Sequence, residues 1–447
     1  MRRALILALV LAGCATPNAP SVAPTPPTAA MGPFAEAGAA APLPDDWWRL
    51  FDDATLDAHV ARALAANRDL RVAAANLAAA RANSRLANAN RTPDLVLESG
   101  ASPTTLGVNQ PTTTSVPKSS FELGGEVALE VDLFGRLRNQ AAAAGADAEA
   151  VAAVRDGVRV AVVADTVGAY LDLCSAGVLA GVVRRQIALQ SRQVAAVAEQ
   201  LRAGEVSPLE LAQARQLRAR LEATLPPIAA EAKRARYLLA NLEGLPPAEA
   251  VVIDCPRPPA IRAPLPLGDG AALLARRPDL REAERRLAAA AARVKVATAE
   301  IYPRVSLGAS AGLIAGGVDA FVTPLISWAF VNPARVKARI AFQRANQDAA
   351  LAQFDALWLR ALRETETALA DLNAEVARGA ALRAAQTDAD AAARRAEARV
   401  RIGDANPLIA LDARRTAFET ELLRAQSAQR IARLQVVLFR ALGGGWR

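Results

Sequence analysis

Three observations predict an α+β membrane chain built by internal duplication, in which two very long helices alternate with four short strands. The first is a repeat. Ala65, Asp69, Leu70, Arg71, Leu77, Ala80 and Pro93 return in order as Ala275, Asp279, Leu280, Arg281, Leu287, Ala290 and Pro303. Gly204, Pro208, Leu209, Ala214 and Arg215 likewise return as Gly403, Pro407, Leu408, Ala413 and Arg414, so each half holds the same parts in the same order. The second is a pair of proline-free runs between Gln140 and Ala203 and between Arg335 and Ile402. At ~1.5 Å per residue the first would reach ~96 Å as one helix, several times the usual globular length. The third is strict alternation from Phe121 to Leu133. Odd positions are almost all apolar, and the even ones include Glu122, Glu126, Glu130 and Asp132.

Taken in chain order, Arg2 and Arg3 precede the apolar stretch Ala4 to Val10, and Leu11-Ala12-Gly13-Cys14 closes it with small residues. This reads as a secretory signal over residues 1–13, too short to span a bilayer as a helix. Its ending resembles the lipobox of bacterial lipoproteins, which implies a covalent lipid on Cys14. Ala15 comes next rather than aspartate, and in such lipoproteins that implies the outer membrane. Residues 14–44 are rich in proline and alanine and have too little to bury, so they read as a tether. Structure is expected to begin at Asp45-Asp46-Trp47-Trp48-Arg49-Leu50-Phe51, where two tryptophans and a phenylalanine must find a helical surface to cover. A first structural repeat is placed at 45–255 and a second at 256–447.

Each half is expected to give two strands, near 93–133 and near 303–330. Phe121–Leu133 and Val305–Leu313 are patterned clearly; the segments around Leu95–Leu97 and Leu325–Phe330 are less so. Four strands cannot close a spanning barrel, for which about eight is the minimum, so several chains must share one. After the strands come the long runs. Each ends in a glycine-to-proline break, Gly204-Glu205-Val206-Ser207-Pro208 and Gly403-Asp404-Ala405-Asn406-Pro407. Glycine suits the end of one helix and proline the first turn of the next, so both breaks read as tight helix-to-helix turns. Pro226-Pro227 should bend the helix after the first turn; its counterpart after the second has no proline.

Composition narrows function. One histidine (His59) and two methionines leave almost no raw material for histidine metal sites or general-base catalysis, so neither a metal site nor catalytic residues are expected. The formal charge is +8, but its arginines alternate with acids along helical stretches and aromatics are only 4%, a pattern of solvated helix faces rather than nucleic-acid binding. Cys174 and Cys255 remain once Cys14 is set aside. A disulfide and two separate buried thiols both fit the sequence.

Trp47-Trp48-Arg49-Leu50-Phe51, Asp132-Leu133-Phe134-Gly135-Arg136, Arg276-Arg277-Pro278-Asp279-Leu280-Arg281, Tyr302-Pro303 and Ala441-Leu442-Gly443-Gly444-Gly445-Trp446 together resemble the outer-membrane efflux lipoproteins of the NodT type, relatives of TolC and OprM. The resemblance runs through nearly the whole chain. It implies a TolC-like homotrimer with a twelve-stranded barrel in the outer membrane, four strands per chain, continuous with a long periplasmic α-helical barrel. It also implies the exit duct of a tripartite efflux pump. An inner-membrane pump of the resistance-nodulation-division class and a periplasmic membrane-fusion adaptor would be its partners, and the duct would be passive, with no cofactor besides the lipid on Cys14.

By the same resemblance the two turns, residues 204–208 and 403–407, would dock the adaptor. Leu411-Asp412-Ala413 matches the motif that places an aspartate ring at the periplasmic gate. Three copies of Asp412 would repel one another, so closure needs other contacts, for which Arg414 and Arg415 are the candidates. Val400 stands where close relatives carry a tyrosine, and Gln213 stands in the first half in place of a second aspartate. The strand carboxylates Glu122, Glu126, Glu130 and Asp132 would face the lumen and attract cations. Two other readings are kept: a duct for type I protein secretion, and a non-conducting, lipid-anchored coiled-coil spacer. The spacer leaves the alternating strands unexplained.

Overall fold

The computed structural model describes residues 32, 34, 44–103, 119–253, 255, 258–261, 265, 267–314, 317–328, 333–405 and 407–444. Cys14, the tether as far as residue 31, Asn406 and the closing residues 445–447 lie outside the described residues.

A 3-10 turn at Trp47–Phe51 is followed by helices α1 (Ala54–Ala66) and α2 (Arg68–Ala89), then strands β1 (Asp94–Pro103) and β2 (Ser119–Val131). Helix α3 runs from Arg136 to Arg202, α4 spans Pro208–Glu222 and α5 spans Leu225–Leu242. The second half repeats the order with α6 (Gly270–Arg276), α7 (Pro278–Ala299), β3 (Arg304–Ile314), β4 (Gly317–Ser327), α8 (Pro333–Arg401) and α9 (Pro407–Ala441). The long helices and both pairs of strands therefore fall where the repeat puts them.

Two expectations change in detail. Pro226-Pro227 does not bend a continuous helix. The chain breaks between Glu222 and Leu225, and the prolines occupy the first turn of α5, where their missing N–H groups are not needed. With no proline in the matching place, α9 stays one helix. The sequence pattern puts the fourth strand near Leu325–Phe330, but the strand begins at Gly317. Pro324 obscures it in the sequence, because proline lacks an N–H to give a strand ladder, yet β4 pairs with β3 through it, Leu307 opposite Pro324.

The chain divides into two compact units, and both cut across the repeats. One, apart from residues outside those described, comprises Ala75–Ala153 and Asp279–Leu357; the other comprises Pro26–Ala74, Val154–Pro278 and Trp358–Arg447. The first unit is organised by an antiparallel sheet of order β1-β2-β3-β4. Its register aligns Leu95, Val127, Ala309 and Val322 in one row across all four strands. Because side chains alternate, this row shares a face with Leu97, Leu129, Val131, Leu307, Val318 and Ile326. The opposite face carries Asp94, Glu126, Glu130, Ser306 and Ser310 together with Val96 and Leu325 of the outer strands. In a single chain the apolar face is bare: Leu97 is 75% exposed, Val322 73% and Ile326 68%. Helix α3 enters from β2 through Asp132, whose carboxylate accepts the backbone N–H groups of Leu137 (3.1 Å) and Arg138 (2.8 Å) and caps the helix start.

Among the described residues the regular elements of the second unit are all helices. Trp47 is fully buried and stacks on Phe439 with ring centroids 4.6 Å apart, so the aromatic start of the fold does cover a helical surface. The duplication also appears as one lock made twice. Asn67, in the break between α1 and α2, donates its side-chain N–H to the Leu242 carbonyl at 3.0 Å. Arg277, in the matching break between α6 and α7, donates to the Ala441 carbonyl at 3.0 Å. Just beyond each carbonyl a glycine in the left-handed region, Gly244 or Gly443, lets the helix end touch that break: a Cβ there would lie 2.7 Å from the Ala66 carbonyl oxygen or 3.1 Å from the Arg277 Cα. Tyr170 closes the same region by donating to Asp53, the N-cap of α1, at 3.0 Å; burial first, and then Asp53, pushes its phenol up to about 12. Cys174 of α3 and Cys255 of the inter-repeat segment are joined as a disulfide, which settles the alternative the sequence left open.

Candidate functional site

The two glycine-to-proline breaks have the same geometry. Gly204 and Gly403 take the left-handed conformation at φ +75° and +76°. Beyond them Glu205 N–H donates to the Gln200 carbonyl and Asp404 N–H to the Arg399 carbonyl, both at 2.9 Å, so each long helix ends in the six-to-one bond that a glycine terminator permits. The two turns are then fastened in different ways. Ser207 and Glu210 form a capping box at the start of α4; the Glu210 carboxylate accepts from the Ser207 backbone N–H at 2.9 Å and from its hydroxyl, and these bonds hold the Glu210 carboxyl below the usual glutamate range. The second turn is held by charge, with Arg399 Nε donating to Asp404 Oδ2 at 2.9 Å. Val206 is half-buried, while Leu209 after the first turn and Ile402 and Ile409 around the second are exposed apolar side chains.

The α3–α4 hairpin behind the first turn is zipped by Val194, Val197, Leu211 and Ala214 and higher up by Val182, Val183, Leu221 and Phe418 of α9. In an antiparallel hairpin, residues equidistant from the turn face each other. Glu397 and Arg414 obey this rule across the second turn, where Arg414 Nε donates to Glu397 Oε1. The sequence motif points to Arg414 but not to Glu397; counting outward from the turn is the signal that finds it. Asp412 makes a different bond. Its Oδ1 accepts from Arg415 Nη2 at 2.7 Å within α9, and both side chains are more than half exposed. Exposed pairs of this kind are worth ~0–1 kcal/mol.

Val400 and Arg414 line a groove of about 380 Å³ together with Gln186, Gln190 and Glu397, bounded by α3, α8 and α9. Asp412 and Arg415 are not among its lining residues. The structure thus brings Val400 and Arg414 together and leaves the Asp412–Arg415 pair exposed in the single chain.

On β2, Glu126 is exposed on the polar sheet face, Glu130 accepts two bonds from Arg136, at 2.8 Å to Nε and 2.5 Å to Nη2, and Asp132 caps α3. Glu122 belongs to the strand, and its side chain lies outside the described residues. Two of the four carboxylates therefore have structural work at the joint of strand and helix. Among the described residues no group of three or more His, Cys, Asp or Glu side chains gathers as a metal ion would require.

A family model described as outer membrane efflux protein matches residues 60–245 and 271–444, one stretch in each half. The outer membrane protein OprJ of Pseudomonas aeruginosa is 31% identical over 99% of this chain and 95% of its own length. The toluene efflux pump outer membrane protein TtgC of Pseudomonas putida is 29% identical over 99% of this chain and 94% of its own. Among solved structures, that of the outer-membrane channel OprN superposes with a TM-score of 0.87 at 35% identity, covering 94% of this chain and 98% of that one.

Proposed function

The chain belongs to the family of outer membrane efflux proteins, and from that membership we propose that three copies form one lipid-anchored exit duct for small molecules. It is an outer-membrane efflux channel, not an enzyme. The observation that carries the trimer is the sheet: one face apolar and bare, the other polar, and the outer edges of β1 and β4 without partner strands among the described residues. Unpaired edges are untenable in lipid, where every backbone group needs a partner. Pairing β4 of one copy with β1 of the next, three times, closes a twelve-stranded barrel that turns the Val127 face to lipid and the Glu126 face to a wet lumen.

In this reading Cys14 carries the lipid, and the turns at 204–208 and 403–407 meet a periplasmic adaptor through Leu209, Ile402 and Ile409. An inner-membrane pump of the resistance-nodulation-division class supplies the energy. The residues of the channel do no chemistry. Their task is to hold the periplasmic end closed until the pump engages. Arg414–Glu397 ties α9 to α8, and Arg415 partly neutralises each Asp412, which lowers repulsion when three of them approach the axis. Opening then requires the hairpins to separate rather than any bond to break covalently. The exported compounds of the relatives, such as toluene for TtgC, define the class of cargo: small molecules handed over by a pump.

Single-channel recording in planar bilayers tests this. The mature protein should give small, cation-selective currents, and Asp412→Ala should lose selectivity or raise conductance. Identical currents from both proteins would remove Asp412 from the gate; a correctly inserted protein that never conducts would overturn the channel.

A further inference from the structure

The two ends of the Cys174–Cys255 bond stand in unlike surroundings. Cys174 continues the inward stripe of α3 that Val163, Val167 and Leu171 begin, and like Val163 and Val167 it is fully buried. Cys255 is half-buried and stands in the inter-repeat segment, where the described residues between the 3-10 turn at Pro247–Glu249 and α6 form neither helix nor strand. Pro256, Pro258 and Pro259 follow it in the sequence and remove N–H groups that a helix or a ladder would need. Val251 and Val252 just before it are exposed, so solvent reaches the segment. The segment nevertheless lies against α3: a Cβ added at Gly177 would touch the Cys255 carbonyl oxygen at 3.9 Å. Both cysteines precede α6 and everything after it, and the bond closes a loop of 81 residues that holds the rest of α3, the first turn, α4 and α5.

We propose that the chain is the substrate of a thiol oxidase that carries a Cys-X-X-Cys disulfide, and that this partner enters at Cys255 and passes the bond to Cys174 before the helical unit closes. Disulfide exchange needs a thiolate with access to its target sulfur, and a fully buried side chain has none. The Cys255 thiol gives up its proton and attacks one sulfur of the oxidase disulfide; a mixed disulfide forms, and the other oxidase sulfur leaves as a thiolate that takes up a proton. The Cys174 thiolate then attacks Cys255 Sγ, the native bond forms, and the first oxidase sulfur leaves in the same way. Two thiols of the chain have lost two electrons and two protons, and the oxidase disulfide has become a dithiol. Once the α3 stripe is packed, the reverse reaction must expel the Cys174 thiolate into a site without water, so the finished bond resists reductants. The partner acts during folding, after export to a compartment in which such bonds persist.

The full-length chain and its variants Cys174→Ser, Cys255→Ser and the two together are pulse-labelled in cells, quenched with acid before any misfolded chain is degraded, alkylated and run on non-reducing gels. Cys174→Ser keeps the entry thiol and lacks the one that resolves the adduct, so it should hold a reducible adduct of the oxidase's mass. Cys255→Ser should lack that adduct, and the double variant measures any background from Cys14. An adduct on Cys255→Ser but not on Cys174→Ser would overturn the order of attack. A native bond that forms as fast in cells without the oxidase would overturn the partner. The folded parent is also treated with dithiothreitol, with and without denaturant. It should keep the bond when folded and lose it when unfolded; equally fast loss in both would overturn the claim that closure seals the bond.

Discussion

Val127→Arg places a charge in the middle of the sheet face assigned to lipid. Val127 lies in the row Leu95–Val127–Ala309–Val322 and precedes the β2 end at Val131 by four residues, about 14 Å of strand at ~3.4 Å per residue. With a strand tilt of about 40° that is roughly 10 Å along the membrane normal, close to the middle of an apolar band about 25 Å tall. Arginine at that depth costs about 2–4 kcal/mol per chain. In a trimer the penalty applies three times, which is comparable to the whole stability of a typical domain. Ala128→Arg is the matched control. It stands one residue along on the polar face, opposite Asp94 in register, and its charge would meet a carboxylate and water. The assay is the fraction of protein recovered in urea-washed outer membranes as the fast-migrating folded band on unheated gels. Val127→Arg should fall many-fold and Ala128→Arg should stay near the parent. Equal losses, or a greater loss for Ala128→Arg, would refute the assignment of faces and with it the barrel.

The helical unit yields further expectations. Gly244→Ala should lower the unfolding midpoint more than Gly204→Ala: both are left-handed, but a Cβ at 244 meets the Ala66 carbonyl at 2.7 Å whereas nothing lies within 4 Å at 204, and overpacking adds about 1–3 kcal/mol. The Cys174–Cys255 bond spans 81 residues, for which the chain-entropy model gives about 4.5 kcal/mol, so reduction or Cys174→Ser should shift chemical denaturation to lower denaturant, and an unchanged midpoint would remove its structural role. Ser207 holds Glu210 below the usual glutamate range, so the capping box contributes stability above that range and loses it as pH falls through the depressed value. Protease cutting at residues 203–207 should rise on acidification in the parent, and in Glu210→Ala, which removes the acceptor, it should be high already at neutral pH. Tyr170→Phe removes the bond to Asp53 and should cost about 1 kcal/mol in thermal unfolding.

Periodicity and repetition made most of the architecture legible. The alternation of Phe121–Leu133 has only one structural meaning, and the glycine-to-proline breaks announce turns because left-handed backbone and a proline at the first helical turn leave few alternatives. Pro324 hid the start of β4, since a residue without an N–H argues against a paired strand, yet the ladder to β3 runs through it. The chain break before Pro226 was harder to see than the proline pair itself, because a bend and a break differ in two residues of backbone. Site residues were legible one at a time but not in pairs. Asp412 and Arg414 could be named from the motif, yet Glu397 became visible only once the hairpin brought opposite positions together. Asp132 looks like a lumen carboxylate because alternation continues through it; the strand ends at Val131, and the side chain turns to cap α3 instead.

The central claim is that the sheet of one chain is a third of a barrel. Native mass measurement of the mature assembly extracted from outer membranes tests it most directly. A shared barrel predicts three copies per particle and a particle that falls to single chains only when the strands unfold. A stable monomer with its sheet intact, or an assembly of any other number, would contradict it.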